Sequence, residues 1–481
     1  MQAAASAWIS RAGEMARSRS LPGAEEIDVR QRYTDGLLAR VPLTSEKWAA
    51  GAVLRAQEAF AELRAWDAGR RAAHLMRLRS LLEREQAVLA ALICLEAGKP
   101  IRYAEAEVQR GMATLEEAAL QARLWGGEVV PIDAGAGAGL RAFTHRFPLG
   151  PVLAFSPFNF PLNLALHKAA PALALGAPVL LKPSPFTPLT ALALEALVLE
   201  AGYPPAALQT LLLDNARAAE LVRDPRLPVF SFTGSPAVGW QLKELAGPRK
   251  RVTLELGGNA AVLVDGTADL ADTARKLAPA ICLYAGQICI STQRIYAEES
   301  CCAALCGLLA AELEALSSGD PEDPATVNGP LIDRRSLLRV DRWVQEAVAQ
   351  GARVLAGGRV LDAERNVYAP TLLTGVPPEA RVACEEVFGP VAVIEPAADF
   401  EAGLRAVNRS AYGLQAGIFT QDIGRIKLAF NTLEVGAVLA NQIPGFRVDR
   451  MPYGGVKESG WGREGLRYAM EEMSELRLLV M

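Results

Sequence analysis

From Pro151 to Gly258 the chain alternates short β-rich runs with stretches of helical periodicity, and few architectures accommodate that order. The β-rich runs are Val152-Leu153-Ala154-Phe155, Val179-Leu180-Leu181, Thr210 to Leu213, Val229-Phe230-Ser231-Phe232 and Arg251 to Leu256. Strands that are each followed by a helix pair in parallel, with the crossover helices covering the sheet. Such a sheet binds ligands at the carboxyl ends of its strands, where Lys182, Gly234 and Ser235 fall. A second alternating series runs from Ala261 to Ala440 and includes Arg353-Val354-Leu355, Val391-Ala392-Val393-Ile394, Gly417-Ile418-Phe419 and Val438-Leu439. The fold class is therefore α/β, with two such domains and the chemistry between them.

The segment before Pro151 is different in kind. Val29 to Pro42 predicts a hairpin turning at Asp35-Gly36. Apolar residues at helical spacing fill Ser45 to Glu96, and Glu105 to Leu124 predicts a further amphipathic helix. Val129 to Phe147 reads as strand, loop and strand, with Gly135, Gly137 and Gly139 at the tip. No helix begins directly after those glycines, which favours a solvent-exposed loop over a phosphate cradle. The first twenty residues carry Arg and Ser with one acid, Glu14, as a transit peptide does; a short surface helix or a frayed terminus is the favoured expectation.

Composition narrows the function classes. A chain of 481 residues that is 51% hydrophobic can bury sizeable cores. A net charge of -4 without a long basic run argues against nucleic acid or an anionic membrane surface as partner. The longest apolar run, Ala169 to Leu181, is broken by Pro171 and Pro178 and falls short of the roughly 18 to 20 residues that cross a bilayer. Seven cysteines are too sparse for a disulfide framework, so a cytoplasmic setting is expected. With three histidines in all (His74, His145 and His167) no multi-histidine metal site is expected.

One cysteine stands apart. In Ala285-Gly286-Gln287-Ile288-Cys289-Ile290-Ser291-Thr292-Gln293-Arg294, Cys289 follows a glycine turn between two isoleucines, which alone describes a small buried hydrophobe. Its company changes that. The chain also holds Ser156-Pro157-Phe158-Asn159-Phe160-Pro161, Phe232-Thr233-Gly234-Ser235, Leu254-Glu255-Leu256-Gly257-Gly258 and Glu385-Glu386-Val387-Phe388-Gly389-Pro390. In this order the motifs resemble the aldehyde dehydrogenase superfamily, from about Val29 to the C-terminus.

The resemblance implies a Rossmann-type NAD(P)-binding domain over 1–125 and 148–256, a catalytic domain over 257–463, and oligomerisation segments at 126–147 and 464–481 forming a small β flap in a homodimer or homotetramer. It implies that Cys289 attacks an aldehyde carbonyl, that Asn159 and the Cys289 backbone N–H stabilise the oxyanion, and that hydride leaves for the nicotinamide. Glu255 matches the base that activates water against the resulting thioester. Ser156, Pro157, Phe158, Lys182, Ser184, Pro185, Gly234, Ser235, Gly239, Leu256, Gly257, Glu386 and Phe388 match the cofactor site for NADP or NAD. Phe232 to Gly239 also reads independently as a strand, a small-residue turn and a helix N-terminus, where a pyrophosphate binds.

Departures from the family pattern carry expectations of their own. Pro185 occupies the position that commonly holds a glutamate for the ribose 2′-hydroxyl, so NADP should be used at least as well as NAD. Asn259 stands where lysine is frequent, and is expected to leave the chemistry unchanged. Asp214-Asn215 replace a glycine-bearing turn near the adenine. Arg110, Phe160, His167 and Arg447 are the candidate substrate contacts. The wording around Arg447 is similar to members that oxidise short polar aldehydes of the lactaldehyde type, whereas Ile288 is apolar where some phosphate-binding members carry arginine. The alternative for the arginines is local pairing, Arg447 with Asp449 and Arg110 with Glu107. The segment Pro452-Tyr453-Gly454-Gly455-Val456-Lys457-Glu458-Ser459-Gly460 is expected to be structural. The competing functions are a CoA-acylating relative, which generally lacks the Glu255 equivalent, and a non-catalytic protein that keeps the fold.

Overall fold

The computed structural model describes all 481 residues. The runs between Pro151 and Gly258 form one sheet, ordered Arg251–Glu255, Val229–Thr233, Val152–Phe155, Val179–Lys182, Leu208–Thr210, and these five strands are all parallel. In chain order this is 5-4-1-2-3, so the winding reverses between Val152–Phe155 and Val229–Thr233 and leaves a crevice at their carboxyl ends. Helices Asn163–Leu175 and Pro188–Glu200 are apolar almost all round and buried on nearly every residue, as elements packed on more than one side must be. The third run is shifted from its expected place. Its strand ends at Thr210, because Thr44 takes over the next backbone: Leu212 N–H donates to Thr44 Oγ1 at 3.0 Å and Thr44 N–H to the Leu212 carbonyl at 2.8 Å.

A sixth strand comes from far down the chain. Gly460–Trp461 adds antiparallel to the sheet edge, pairing Gly460 with Glu255 and Trp461 with Leu254. The second series makes a seven-stranded sheet ordered Arg353–Ala356, Thr371–Thr374, Val391–Ala397, Thr292–Glu298, Ala260–Val264, Gln415–Phe419, Ala437–Ala440. Arg353–Ala356 is the exception to the parallel pattern: it lies antiparallel on Thr371–Thr374. The chain between them forms the small hairpin Val360–Asp362 with Val367–Tyr368 in place of a crossover helix.

The predicted hairpin is present as Glu26–Arg30 with Leu37–Pro42. The amino terminus is neither frayed nor a bare surface helix. Gln2–Arg17 is helical and buries Ala5, Trp8, Ala12 and Ala16, and the Trp8 indole donates to Glu85 at 3.0 Å. A third, antiparallel sheet joins Ser474–Val480, Ala142–Pro148 and Val129–Val130. It exposes Val129, Leu476, Leu478, Leu479 and Val480. No helix is long and apolar enough to cross a membrane.

Candidate active site

Four residues, Leu256 to Asn259, join the end of the first sheet to the start of the second. Glu255 is the last residue of its strand, and Gly258 is pressed against the loop that carries Cys289: a Cβ there would lie 2.0 Å from the Cys289 carbonyl oxygen. The loop itself is built from left-handed backbone. Tyr284 (φ 50°), Ala285 (φ 52°) and Gly286 (φ 68°) follow one another, a conformation that costs each non-glycine residue on the order of 1–3 kcal/mol. The Tyr284 hydroxyl donates to the Ala97 carbonyl, and a Cβ on Gly286 would lie 2.0 Å from the Gly389 carbonyl oxygen, so only glycine fits.

This loop delivers Cys289 to a cavity of about 190 Å³ that is also lined by Asn159, Phe160, Arg110, Arg447, Tyr453 and Lys99. Burial pushes the Cys289 thiol up to about 12, opposed by a hydrogen bond to Tyr453 and by the charge of Arg447. The sulfur lies 3.2 Å from the Tyr453 hydroxyl. Asn159 is buried and donates one amide hydrogen to the Gln287 carbonyl at 2.9 Å, which leaves its second hydrogen free. The Cys289 backbone N–H donates to no protein acceptor.

Glu255 is 3% exposed and neither carboxylate oxygen has a hydrogen-bond partner. Burial raises its carboxyl well above the ordinary range, and the negative Glu464 adds to the effect. Glu464 goes the other way. Burial opposes its ionisation, but Lys168, His167 and Arg447 outweigh burial and hold it well below the carboxylate range. The Lys168 ammonium donates to Glu464 at 2.8 Å and to Ser231 at 2.9 Å, with no exposure of its own.

His167 does not line the cavity. It stands behind it, within 2.8 Å of Asp449 and 3.1 Å of Asn163, so its part is to support other side chains. The arginines do not pair locally either. Arg110 reaches Asp449, not Glu107, at 2.9 Å. Glu107 is occupied by Lys99 and by the Leu162 and Asn163 N–H groups at the start of the next helix. Arg447 turns away from Asp449. Its guanidinium carbon lies 3.6 Å from the centre of the Tyr453 ring and its Nη2 3.7 Å from Glu464. Both arginines line the cavity, with Phe160 beneath the Lys99 ammonium at 3.6 Å.

The cofactor candidates gather around the crevice of the first sheet. Ser156 N–H donates to the Lys182 carbonyl at 3.0 Å, and Gly234 N–H to the Glu255 carbonyl at 3.0 Å, tying the strand ends together. Ser235 caps the helix Pro236–Ala246 without using its side chain, and the nearby Thr233 hydroxyl is buried without a partner. Gly239 lies one turn in, against Leu256. An open helix N-terminus with small residues and a spare hydroxyl fits a pyrophosphate. Burial lowers the pKa of Lys182, opposed by Asp214; Ser184 accepts from Phe186 N–H at 3.3 Å and Pro185 is exposed.

Glu386 arrives from the other side. Its Oε1 accepts the Gly258 N–H at 2.9 Å, and burial pushes its carboxyl up to about 7 against that bond and Arg339. A Cβ on Gly257 would sit 2.6 Å from its second oxygen. Phe388, at φ 48°, sets its ring edge-on to Phe158 with 5.9 Å between centroids, while Pro157 belongs to the turn that carries Phe158. These residues fit a nicotinamide dinucleotide that runs from the helix terminus toward Cys289.

A family model described as "Aldehyde dehydrogenase family" matches residues 20–479. The chain belongs to the aldehyde dehydrogenase family. It is 40% identical over 460 residues to the 3-sulfolactaldehyde dehydrogenase of Priestia aryabhattai, covering 95% of each chain. Among solved structures it is similar to aldehyde dehydrogenase 21 from Physcomitrella patens in complex with the reaction product succinate (37% identity, TM-score 0.92, 96% of each chain). It is also similar to the glyceraldehyde-3-phosphate dehydrogenase of Methanocaldococcus jannaschii complexed with NADP (33% identity, TM-score 0.90, 95% of this chain and 99% of that one). As an aldehyde dehydrogenase, this chain is an NAD(P)-dependent oxidoreductase acting on the aldehyde group.

Three features of this aldehyde dehydrogenase lie outside the sequence expectations. Tyr453 sits in a segment expected to be structural and instead touches the sulfur. Lys168 and Glu464 form an ion pair behind Glu255, across 296 positions of chain. Asn259, for which the only expectation was unchanged chemistry, has a structural part besides: it donates to the carbonyls of Ala383 and Glu385 at 3.1 Å each and so anchors the loop that bears Glu386. The one available signal was a shared one: Tyr453 and Glu464 flank the strand that closes on Glu255.

Proposed function

We propose that this chain oxidises a short aldehyde with a polar tail to the carboxylic acid, and uses NADP at least as well as NAD. The observation that carries the substrate reading is Arg447. Its side chain is 4% exposed and its Nε and Nη2 have no hydrogen-bond partner, yet it lines the cavity that holds Cys289. A desolvated guanidinium with unused donors favours an oxygen-bearing or anionic group. A cavity of about 190 Å³ is small beside the several hundred Å³ usual for drug-sized ligands, which favours a short chain. The relatives named above, acting on sulfolactaldehyde or holding succinate, are proteins with polar substrates and products. A lactaldehyde-type aldehyde is the first choice and a carboxylate- or phosphate-bearing one the second.

In this reading the Cys289 thiolate adds to the carbonyl carbon. The free Asn159 hydrogen and the Cys289 backbone N–H hold the oxyanion, where one such donor supplies about 3 to 4 kcal/mol of transition-state stabilisation. NAD(P), when bound, supplies the hydride acceptor. Lys182, Ser184, Gly234 and Ser235 hold its adenosine and phosphate end, and Glu386 and Phe388 its nicotinamide end. Glu255, with both oxygens free, takes a proton from the water that cleaves the thioester. That base favours hydrolysis over transfer to CoA.

The division into a cofactor domain at 1–125 and 148–256, a catalytic domain at 257–463 and oligomerisation segments at 126–147 and 464–481 belongs to the same proposal. The exposed apolar strand Ser474–Val480 supports a homo-oligomer formed through the small sheet. Seven free cysteines fit a reducing cytoplasm. The substrate reading is tested by comparing kcat/KM for lactaldehyde, succinic semialdehyde, glyceraldehyde 3-phosphate and hexanal. A preference for hexanal overturns it.

A further inference from the structure

One hydroxyl in the cavity is left without a task by this chemistry. The Tyr453 Oη lies 3.2 Å from the Cys289 sulfur, its one hydrogen-bond partner, and the residue is 5% exposed. The ring cannot swing aside. Arg447 covers one face with its guanidinium carbon 3.6 Å from the ring centre, and the Tyr453 backbone exchanges hydrogen bonds with Glu464 in both directions. The hydroxyl is therefore held at the place where the nucleophile meets its substrate, and it donates to the sulfur once the thiol has given up its proton.

A sulfur bonded to two carbons, as in a thioether, is a poor acceptor compared with a thiolate. Once Cys289 has added to the aldehyde, the buried hydroxyl needs another acceptor. In that addition a sulfur lone pair forms the S–C bond, the carbonyl π pair moves onto oxygen, and the Tyr453 proton stays on its own oxygen. An oxygen on the adjacent carbon is then three bonds from sulfur, about 3 Å away when staggered gauche to it. In the rotamer that turns it to the side of sulfur where the Tyr453 hydroxyl lies, 3.2 Å from that sulfur, it comes within hydrogen-bond reach of the hydroxyl.

We propose that the Tyr453 hydroxyl selects aldehydes that carry a hydroxyl on the carbon next to the aldehyde group, by hydrogen-bonding that oxygen as Cys289 adds. This rests on the reading of a short polar substrate and narrows it to 2-hydroxyaldehydes. A hydroxyl that only held the sulfur, or that served the oxyanion, would act on every aldehyde alike.

The test compares lactaldehyde with propanal, which has the same three carbons and lacks only the hydroxyl. Tyr453→Phe slows both substrates through its lost contact with Cys289, so the ratio is the readout. The parent enzyme favours lactaldehyde in kcat/KM, and in Tyr453→Phe the lactaldehyde-to-propanal ratio falls about tenfold, as for a buried partner left unpaired. An unchanged ratio overturns the proposal. A second pair of aldehydes checks it: the glycolaldehyde-to-acetaldehyde ratio of kcat/KM should fall in Tyr453→Phe by about the same factor of ten. An unchanged second ratio overturns it as well. If the parent turns over hexanal better than lactaldehyde, the short polar reading itself falls; if the parent prefers lactaldehyde and Tyr453→Phe keeps that preference, only the role of Tyr453 falls.

Discussion

The Asn259 amide donates to the Glu385 carbonyl at 3.1 Å, so the residue after the Leu-Gly-Gly motif holds the residue before Glu386. A second bond to the Ala383 carbonyl, also 3.1 Å, and the Gln293 bonds to the Val382 and Glu385 carbonyls make this loop rigid. The loop that bears Glu386 is thus fixed from the four-residue connection between the two sheets.

Asn259→Ala should weaken cofactor binding. It leaves the Ala383 carbonyl without its Asn259 donor and the Glu385 carbonyl with Gln293 alone, a loss of about 1 to 3 kcal/mol, and so raises the Kd for NADPH by about 5- to 150-fold. Fluorescence titration of the reduced cofactor measures it directly. An unchanged Kd would mean that Gln293 alone holds Glu386.

Removing the nucleophile and removing the base should fail at different steps. Cys289→Ala should give no reduced cofactor at all. Glu255→Gln should give a burst stoichiometric with enzyme and then stall, because hydride departure needs no water-activating base. Stopped-flow absorbance at 340 nm separates the two. Steady turnover by Glu255→Gln at the parental rate would sink the hydrolytic assignment.

The raised carboxyl of Glu255 also predicts two pH effects. Thioester hydrolysis requires the ionised base, so kcat should climb with pH through the raised pKa of Glu255, and the burst should lose less at low pH than the steady state does. Stability runs in the opposite direction. The unfolded chain ionises this group near pH 4.3 while the fold still holds the proton, so the folded state loses stability as pH rises above that value. Glu255→Gln should therefore melt higher than the parent, by a margin that widens as pH rises above about 4.3. Thermal melting across a pH series checks it, and a margin that shrinks with rising pH would contradict a raised pKa.

Cofactor choice should respond to the exposed Pro185. Pro185→Glu adds a carboxylate that accepts from a ribose 2′-hydroxyl and repels a 2′-phosphate. The ratio of kcat/KM for NADP over NAD should be at least one in the parent and fall by about tenfold or more in the variant, the worth of roughly one new charge contact. Strict NAD dependence in the parent would refute the assignment.

Breaking the pair behind the base should cost more than its distance from the chemistry implies. Lys168→Met leaves Glu464 buried with its 2.8 Å partner gone, which for a fully desolvated pair costs about 3 to 5 kcal/mol. Denaturant unfolding measures the loss. A variant as stable as the parent would mean that His167 and Arg447 suffice for Glu464.

The sequence carried the parts of this molecule that have a local signature. Runs such as Val229 to Phe232 between helical stretches specify a parallel sheet, and Asp35-Gly36 a hairpin, because turn chemistry and strand periodicity are written over a few neighbouring residues. The aldehyde dehydrogenase motifs were equally legible. Side-chain partnerships across the chain were not. Helix Asn163–Leu175 is buried on nearly every residue, so no periodicity separates His167, which stands behind the cavity, from Lys168, which carries a charge to Glu464. Arg110 and Arg447 offered near neighbours in Glu107 and Asp449, and the fold gave them different ones. Tyr453 was hidden by its setting among glycines, where a turn is the ordinary explanation.

The two-residue strand Gly460–Trp461, lying on Glu255 and Leu254, has a consequence for how the two sheets are joined. The chain crosses between them twice, at Leu256 to Asn259 and again on its return from Ala437–Ala440 to Gly460. The return segment also carries Tyr453 to the Cys289 sulfur. Two crossings restrain the sheets against turning about either one, so Glu255 and Cys289 are referred to a common frame from both sides.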